Sequence, residues 1–145
     1  MLSRLTSAAL ALFVASAFLG TGAAQAQGQG SKVLAKGTFH NAEKAGTGTA
    51  TVYHLANGKR VLRLSDFATD NGPDLHVRLI AADDAKDTAS VKTTKYVELG
   101  KLKGNKGSQN YDVPEKVDLG KYKVVSIWCN RFSVNFAAAP LKAVK

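Results

Sequence analysis

The sequence has few sulfur and imidazole ligands, and this shortage excludes several classes of site. One cysteine, Cys129, occurs in 145 residues, so no disulfide can form within the chain. Three histidines occur, and none lies at metal-site spacing from another histidine or from the cysteine. The Cys-x-x-Cys-His run that attaches c-type haem is missing, which excludes covalent haem of that kind.

Motifs of common enzyme classes are missing as well. There is no Gly-x-Ser-x-Gly motif for nucleophilic hydrolysis. The stretch "GKLKGNKG" lacks the strand-loop-helix context of a phosphate-binding loop. Nothing in the spacing of Cys129 and the histidines favours a protease, so the sequence does not indicate a stand-alone enzyme.

The N-terminal stretch "MLSRLTSAALALFVASAFLGTGAAQAQG" is typical of a secretory signal peptide. Arg4 precedes a short apolar run, and small residues follow up to Ala26. The run is short for a membrane-spanning helix of about 20 residues. We therefore expect cleavage after residues 1–26, a flexible lead over 27–32, and export to the periplasm or the extracellular space without a transmembrane anchor.

Basic residues outnumber acidic ones, 20 to 11, and the formal net charge is +9. Such a balance favours acidic partners, such as anionic envelope polymers, lipid headgroups or an acidic redox protein. The plainer alternative is a solvated surface without a partner. The one lysine cluster, "KLKGNKG", has no interleaved aromatic residues to stack on bases, so we expect no nucleic-acid binding.

Apolar residues alternate with polar ones along most of the chain, and turn residues separate the runs. "DLHVRLIA" is the clearest case, with His76 and Arg78 on the outer side, and Asn57-Gly58 is a strong hairpin signal. "DDAKDTAS" fits one helical turn or a loop. Seven to nine short strands without an amphipathic helix predict an all-β antiparallel sandwich over 33–141, followed by a basic tail over 142–145.

The segment "KVVSIWCNRFSVNF" predicts a hairpin around the single cysteine. If Asn130-Arg131 is a two-residue turn, Cys129 opposes Phe132, because opposed residues in a hairpin share a face. The inward face then collects apolar side chains: Val125, Ile127, Cys129, Phe132, Val134 and Phe136. Trp128 points to the opposite face, so it does not share the pocket of the thiol.

Two hypotheses therefore fit Cys129. In the first it is a small buried hydrophobe. In the second it lies at the rim of the sandwich as a redox-active thiol or a cofactor ligand. A non-covalent haem needs one or two axial ligands, which Cys129 and His40 or His54 could supply. For each histidine considered alone, we predict a position on the surface. Asp66 shares the inward parity of Leu62 and Leu64, so we expect an inward carboxylate that caps the next turn or tunes a nearby site.

Three blocks of the sequence resemble the signature of the DM-thirteen domain family. They are "RVLRLSDFATDNGPDLHVRL", "YVELGKLKGNKGSQNYDVP" and "YKVVSIWCNRFSVNFAAAPL", and the resemblance spans roughly Gly37 to Leu141. It implies a β-sandwich related in concept to haem-binding DOMON domains, and a role in electron transfer.

The resemblance also assigns roles to residues. Cys129 takes the place of the signature cysteine, which acts as a bare thiol or as the ligand of a prosthetic group such as haem. Supporting or architectural roles are implied for a larger set: Asp66, Gly72, Pro73, Asp74, Tyr111, Pro114 and Trp128. Phe132 joins them as a supporting residue because the proposed turn places it opposite the thiol.

Because no cytochrome-like or membrane module is fused to the domain in this sequence, we expect a redox partner protein in trans. The cofactor remains open, since haem and a bare thiol both fit. Two alternatives to the redox reading also stay open. One is a non-catalytic module whose basic surface binds an anionic envelope component, with a purely structural Cys129. The other is a homodimer joined by an intermolecular disulfide.

Overall fold

The computed structural model describes residues 30–145, which form two antiparallel β-sheets of five strands each. The strands are β1 (Lys32–Thr38), β2 (His40–Asn41), β3 (Gly46–His54), β4 (Arg60–Thr69), β5 (Leu75–Ile80), β6 (Tyr96–Lys101), β7 (Gln109–Val113), β8 (Val124–Cys129), β9 (Val134–Pro140) and β10 (Lys142–Ala143). The first sheet has the order β10-β1-β3-β4-β7 and the second the order β2-β9-β8-β5-β6. The predicted all-β sandwich is confirmed, whereas the predicted signal peptide lies outside the described residues.

Two chain segments pass from one sheet to the other and close one side of the sandwich. β1 continues through Phe39 into β2, and β9 continues through Leu141 into β10. β1 pairs with β10 in the first sheet, and β2 pairs with β9 in the second. Both connecting side chains are buried. Lys142 and Ala143, expected in a basic tail, therefore belong to a strand.

The core lies between the sheets and follows the alternation of the strands. In β5, Leu75, Val77 and Leu79 point into the core, as the sequence predicted. Val125 and Ile127 of the neighbouring strand β8 are fully buried beside them. Each such side chain stabilises the fold by about 1.5–3 kcal/mol relative to an exposed one.

A β-bulge reverses the expected orientation of Asp66. The pairing of β3 with β4 shifts register between Thr47 and Thr49, opposite this part of β4. Asp66 has a φ of 50° and is exposed, while the next residue, Phe67, lies in the core. The inward carboxylate predicted from the alternation is therefore wrong, because the extra residue of a bulge resets the parity of the strand.

The loop between β8 and β9 is longer than the predicted two-residue turn. Cys129 pairs with Val134, which leaves Asn130–Ser133 in the loop. Phe132 is 61% exposed, so the prediction that it faces the core opposite the thiol is wrong. Val134 and Phe136 do contact the core, as predicted.

The residues between β5 and β6 cover the outer face of the second sheet. Segment 81–95 consists of turns and bends. Of the two predicted alternatives for this segment, a helical turn or a loop, the structure shows the loop. Its Ala85 and Val91 pack with Trp128, which faces away from the thiol as predicted. Asn135 is fully buried beneath the segment and donates from Nδ2 to the carbonyl oxygen of Ala85 at 3.1 Å. Within residues 30–145 no helix is long and apolar enough to cross a membrane.

Candidate functional site

Cys129 ends β8 at one end of the sandwich. It pairs with Leu75 of β5 on one side and with Val134 of β9 on the other. Its side chain is 0% exposed and belongs to the main core cluster. Oxidation and ligation of a thiol both need access. Chemistry at this sulfur therefore requires the rim of the sandwich to open.

The Gly-Pro-Asp turn is hydrogen-bonded to the end of β8. The N–H of Asn130, the residue after Cys129, donates to the carbonyl oxygen of Asp74 at 2.9 Å. At Gly72 an added Cβ would lie 2.8 Å from Cδ2 of Leu75. Glycine is thus the residue that lets this turn approach the core closely, beside the strand that carries the thiol.

Four ionisable side chains form a hydrogen-bonded cluster on the outer face of the second sheet. Nε2 of His76 lies 2.8 Å from Oδ1 of Asp74, and Nδ1 of the same ring contacts Glu98. Nε of Arg78 donates to Oε2 of Glu98 at 3.1 Å. The side chains of His76 and Arg78 are only 13% and 12% exposed. We call Asp74, His76, Arg78 and Glu98 the charged cluster.

Arg78 connects the charged cluster to both neighbours of Cys129. Its Nη2 donates to Oδ1 of Asn130 at 2.7 Å. Its Cζ lies 5.1 Å from the ring centre of Trp128 and 3.8 Å from that of Tyr96, within the range of cation–π attraction. One guanidinium therefore contacts the residue before the thiol and the residue after it.

The alternation of "DLHVRL" placed His76 and Arg78 on the outer face, but the charged cluster itself was missed. Its fourth member, Glu98, belongs to β6, and only the pairing of β5 with β6 brings it close. A histidine and an arginine on the same face of one strand were a signal that each needs an acidic or polar partner. The sequence does not show which strand supplies that partner.

Tyr111 holds the loop that precedes β7. Its hydroxyl donates to Oε1 of Gln109 at 2.5 Å and accepts the N–H of Lys103 at 2.8 Å. Burial raises the pKa of Tyr111, although the bond from Lys103 opposes this. β7 ends one residue before Pro114, which donates no hydrogen bond to a sheet. These contacts fix the loop over residues 102–108, between β6 and β7, to the edge of the first sheet.

The profile of the Electron transfer DM13 family matches residues 38–141. The chain belongs to the DM-thirteen family. No curated protein and no solved structure gave a significant match. The matched range contains Cys129, the Gly-Pro-Asp turn and the whole charged cluster. Membership of the DM-thirteen family identifies this domain as an electron-transfer module.

The structure does not bring His54 close to Cys129. His54 is exposed at the last position of β3. The first position, Gly46, packs against Ala137, which pairs with Ile127 near the thiol. A strand rise of about 3.3 Å per residue separates the two ends of β3 by roughly 26 Å.

His40 also lies apart from the thiol. It pairs with Ala138, which pairs with Ser126 of β8. From the strand spacing and the rise per residue, the Cα atoms of His40 and Cys129 are roughly 14 Å apart. A haem held by Cys129 together with either candidate histidine does not fit this arrangement.

The imidazole of His40 is already engaged by the chain. Nδ1 lies 2.8 Å from the carbonyl oxygen of Asn41, and Nε2 lies 2.6 Å from Oδ1 of Asp84. Burial opposes the charged ring, but these two hydrogen bonds outweigh it and raise the pKa of His40. Burial likewise opposes the charged form of Asp84, yet the contact with His40 lowers the pKa of that carboxyl.

A polar pocket of about 260 Å³ opens beside the Gly-Pro-Asp turn. Its lining includes Gly72, Pro73, Asp74 and Lys101, but not Cys129. Among residues 30–145 no three histidine, cysteine, aspartate or glutamate side chains are grouped to hold a metal ion. The arrangement around the sulfur is thus a packed protein environment rather than a preformed ligand cavity.

Proposed function

We propose that this protein is an exported electron-transfer module whose redox centre is the bare thiol of Cys129. One observation carries the proposal: the only cysteine of the chain ends β8 where the Gly-Pro-Asp turn and the charged cluster meet. Arg78 contacts the residues on both sides of that cysteine. A cysteine that only fills space in the core would need neither the turn nor the contacts of Arg78.

The bare thiol is favoured over a haem ligand by the surroundings of the sulfur. Cys129 lies in a close-packed core, and neither His40 nor His54 is near enough to supply a second axial ligand. A buried sulfur surrounded by apolar side chains is protected from indiscriminate oxidation. Its reaction is then limited to moments when the rim opens.

The chemistry is a thiol–disulfide exchange with a partner protein that carries a disulfide. The Cys129 thiol first loses its proton to solvent, and the thiolate attacks one sulfur of the partner's disulfide. A mixed disulfide forms, the partner's sulfur–sulfur bond breaks, and one partner sulfur leaves as a thiolate. Because the chain has one cysteine, a low-molecular-weight thiol must attack the sulfur of Cys129 in this mixed disulfide, which releases the partner with both sulfurs as thiols. A second molecule of the same thiol then frees Cys129, so two electrons pass from two small thiols to the partner's disulfide, and the small thiols leave as their own disulfide.

The proposed partner is an acidic redox protein that acts in trans. The chain carries a formal net charge of +9, which raises the encounter rate with a negatively charged protein. The domain has no hydrolytic or nucleotide-binding motif, so we propose an electron-transfer domain and not a stand-alone enzyme.

Export is proposed on the N-terminal sequence pattern. Expression with its own leader in a bacterial host should place the protein in the periplasmic or extracellular fraction. Mass spectrometry should find the mature protein beginning at Gln27. An intact N-terminus on protein from the cytoplasmic fraction would contradict export.

The redox proposal is tested by the absorption spectrum and the thiol chemistry of the purified protein. We expect no haem spectrum in the protein as isolated and no stoichiometric binding of added haem. In a glutathione redox buffer, the folded protein should form a reversible mixed disulfide that mass spectrometry locates at Cys129. Cys129→Ser is the control and should form none. Stoichiometric haem binding, or a thiol that reacts only in denaturant, contradicts the bare-thiol mechanism.

A further inference from the structure

Within residues 30–145, no segment covers the outer face of the first sheet, whereas one covers part of the outer face of the second. On the second sheet, residues 81–95 bury the outer side chains of β8 and β9. On the first sheet, the outward side chains of β1, β3, β4 and β7 are exposed or half-exposed, as are both residues of β10. The first sheet therefore presents a broad surface that the described chain leaves open.

One row of this surface crosses all five strands. The pairings run from β10 through β1, β3 and β4 to β7, and the row consists of Lys142, Lys36, Thr51, Arg63 and Asn110. With strands about 4.8 Å apart, the row is roughly 19 Å long. Three of its five side chains are cationic, and we call these five residues the basic row.

Two of the cations are direct cross-strand neighbours. Lys36 and Lys142 oppose each other across β1 and β10, and both are exposed. Like charges placed directly opposite each other destabilise a sheet. An anion bound between the two ammonium groups would remove this repulsion, so the pair points to an anionic ligand.

Neighbouring side chains add groups that suit a sugar polymer. Thr38, Thr49 and Ser65 form the next row on one side and offer hydroxyl groups. On the other side, the ring of Tyr53 and the head of Arg63 line a shallow pocket of about 160 Å³. Within the paired positions described for this face, the one carboxylate is that of Asp112, on the edge strand β7.

We propose that the basic row binds an extended acidic polysaccharide. Lys142, Lys36 and Arg63 would pair with the carboxylates of the first, second and fourth sugars of a run, because a sugar unit is about as long as the spacing between neighbouring strands and Thr51 lies between Lys36 and Arg63. Arginine and lysine both bind carboxylates, and arginine does so in a bidentate geometry. The row hydroxyls would hydrogen-bond to sugar hydroxyls, and Tyr53 offers a ring for stacking.

Two other polyanions fit this face less well. Residues 30–145 contain no helix to enter the major groove, where duplex DNA is read. An anionic membrane would be expected to take up exposed apolar side chains, and the large ones found on residues 30–145 are Tyr96, Phe132 and Val144. Of these three, Val144 adjoins the first sheet, because its N–H donates to the carbonyl oxygen of Leu34 at 2.9 Å, and one valine is a small apolar surface for a membrane. DNA and lipid vesicles are therefore competing outcomes of the test.

The binding proposal is independent of the redox proposal. Cys129 belongs to the second sheet and points between the sheets, whereas the basic row lies on the far side of the first sheet. Substitutions in the row should leave the glutathione reaction of Cys129 unchanged. Loss of one property without the other then tells which proposal has failed.

The test measures binding of polygalacturonate to the full mature chain by isothermal titration calorimetry. We expect binding that weakens as salt rises from about 50 mM to about 300 mM, since exposed charges are screened. The variant Lys36→Gln/Arg63→Gln/Lys142→Gln should lose roughly tenfold in affinity, about two- to threefold for each ion pair. Neutral dextran should not bind.

A matched triple variant on the opposite face separates the site from overall charge. Lys86→Gln/Lys92→Gln/Lys95→Gln removes three exposed cations from the segment that covers the second sheet. It loses the same net charge, and its affinity for polygalacturonate should change less than about twofold. If the triple variant of the row does not fold, the pair Lys36→Gln/Lys142→Gln serves instead, because both side chains are exposed.

Three results would overturn the proposal. One is an equal loss of affinity in the two triple variants, which would mean that net charge alone drives binding. Another is duplex DNA or anionic vesicles binding as tightly as polygalacturonate. The third is no binding of polygalacturonate at low salt.

Discussion

Arg78 is the residue through which the outer surface of the second sheet contacts the surroundings of the thiol. It donates to Asn130 and Glu98, and it stacks against Trp128 and Tyr96. A lysine at this position would keep the charge but lose the planar group that makes these contacts together. The protection of the thiol should therefore depend on a guanidinium rather than on a positive charge.

Arg78→Lys should lower the free energy of unfolding by about 1–3 kcal/mol, because a largely buried hydrogen-bonding and stacking group is lost. It should also speed the reaction of Cys129 with an aromatic disulfide reagent. Urea unfolding followed by the fluorescence of Trp128, the only tryptophan, measures the first effect.

Arg131→Lys is the control, since this arginine is exposed in the loop beside the thiol. Its unfolding free energy should stay within about 0.5 kcal/mol of the parent. If Arg78→Lys behaves like Arg131→Lys in both measurements, the assigned role of the guanidinium is wrong.

Gly72→Ala should destabilise the fold by about 1–3 kcal/mol through overpacking. The new Cβ would meet Leu75 at 2.8 Å and Phe136 at 3.0 Å. Gly104→Ala is the control, because its nearest neighbouring atom would be 3.5 Å away. Thermal unfolding of the two variants compares them, and equal melting temperatures would show that the turn has room for a side chain.

At the scale of the strands, the sequence predicted what depends on local alternation. The inward residues of β5 and the opposite faces of Trp128 and Cys129 follow from a period of two. The hairpin at Asn57-Gly58 follows from its turn residues, which are equally local. Where a strand gains a residue, the prediction fails after that point. The bulge at Asp66 is the example, since that residue turns outward although the alternation placed it inside.

The site was predicted only in part, because its geometry also depends on more than local alternation. The four-residue loop after Cys129 moves Phe132 to the surface, because no glycine is present to favour a tighter turn. The charged cluster requires β5 to pair with β6, and the basic row requires five strands in order. Such pairings are set by the packing of the whole domain and do not appear in a local pattern.

His40 and Asp84 connect β2 to the segment that covers the second sheet, and this connection depends on pH. The pKa of His40 is raised, so its contribution to stability is complete below its ordinary value of 6.5 and is lost as pH rises through the folded value. The pKa of Asp84 is lowered, so Asp84 stays ionised throughout that range. Lys86 is the further charge that acts on both groups.

Asp84→Asn should therefore lower the melting temperature more at about pH 5.5 than at about pH 8.5. Asp83→Asn is the control, because Asp83 pairs with Lys123 at 2.7 Å, and this contact lowers the pKa of Asp83, which keeps its carboxylate ionised at both pH values. Its effect should be the same at both pH values. A decrease for Asp84→Asn that is equal at both pH values, or larger at the higher one, would contradict the connection.

At the scale of the whole molecule, the two sheets differ in the groups they carry. The second sheet carries the thiol on its inner side and the charged cluster on its outer side, and part of its outer face is covered. The first sheet completes the core and presents the basic row. An electron-transfer domain of this kind would be held at an acidic polymer by one sheet while the other meets a redox partner.

The central claim is that Cys129 reacts from the folded protein through local opening of the rim. The most direct measurement is the rate of its reaction with an aromatic disulfide reagent as urea increases at concentrations well below the unfolding midpoint. Local opening exposes little surface, so we predict a rate that hardly depends on urea and exceeds the rate allowed by global unfolding. A rate that rises with the full urea dependence of global unfolding would mean that the thiol is only a packed core side chain.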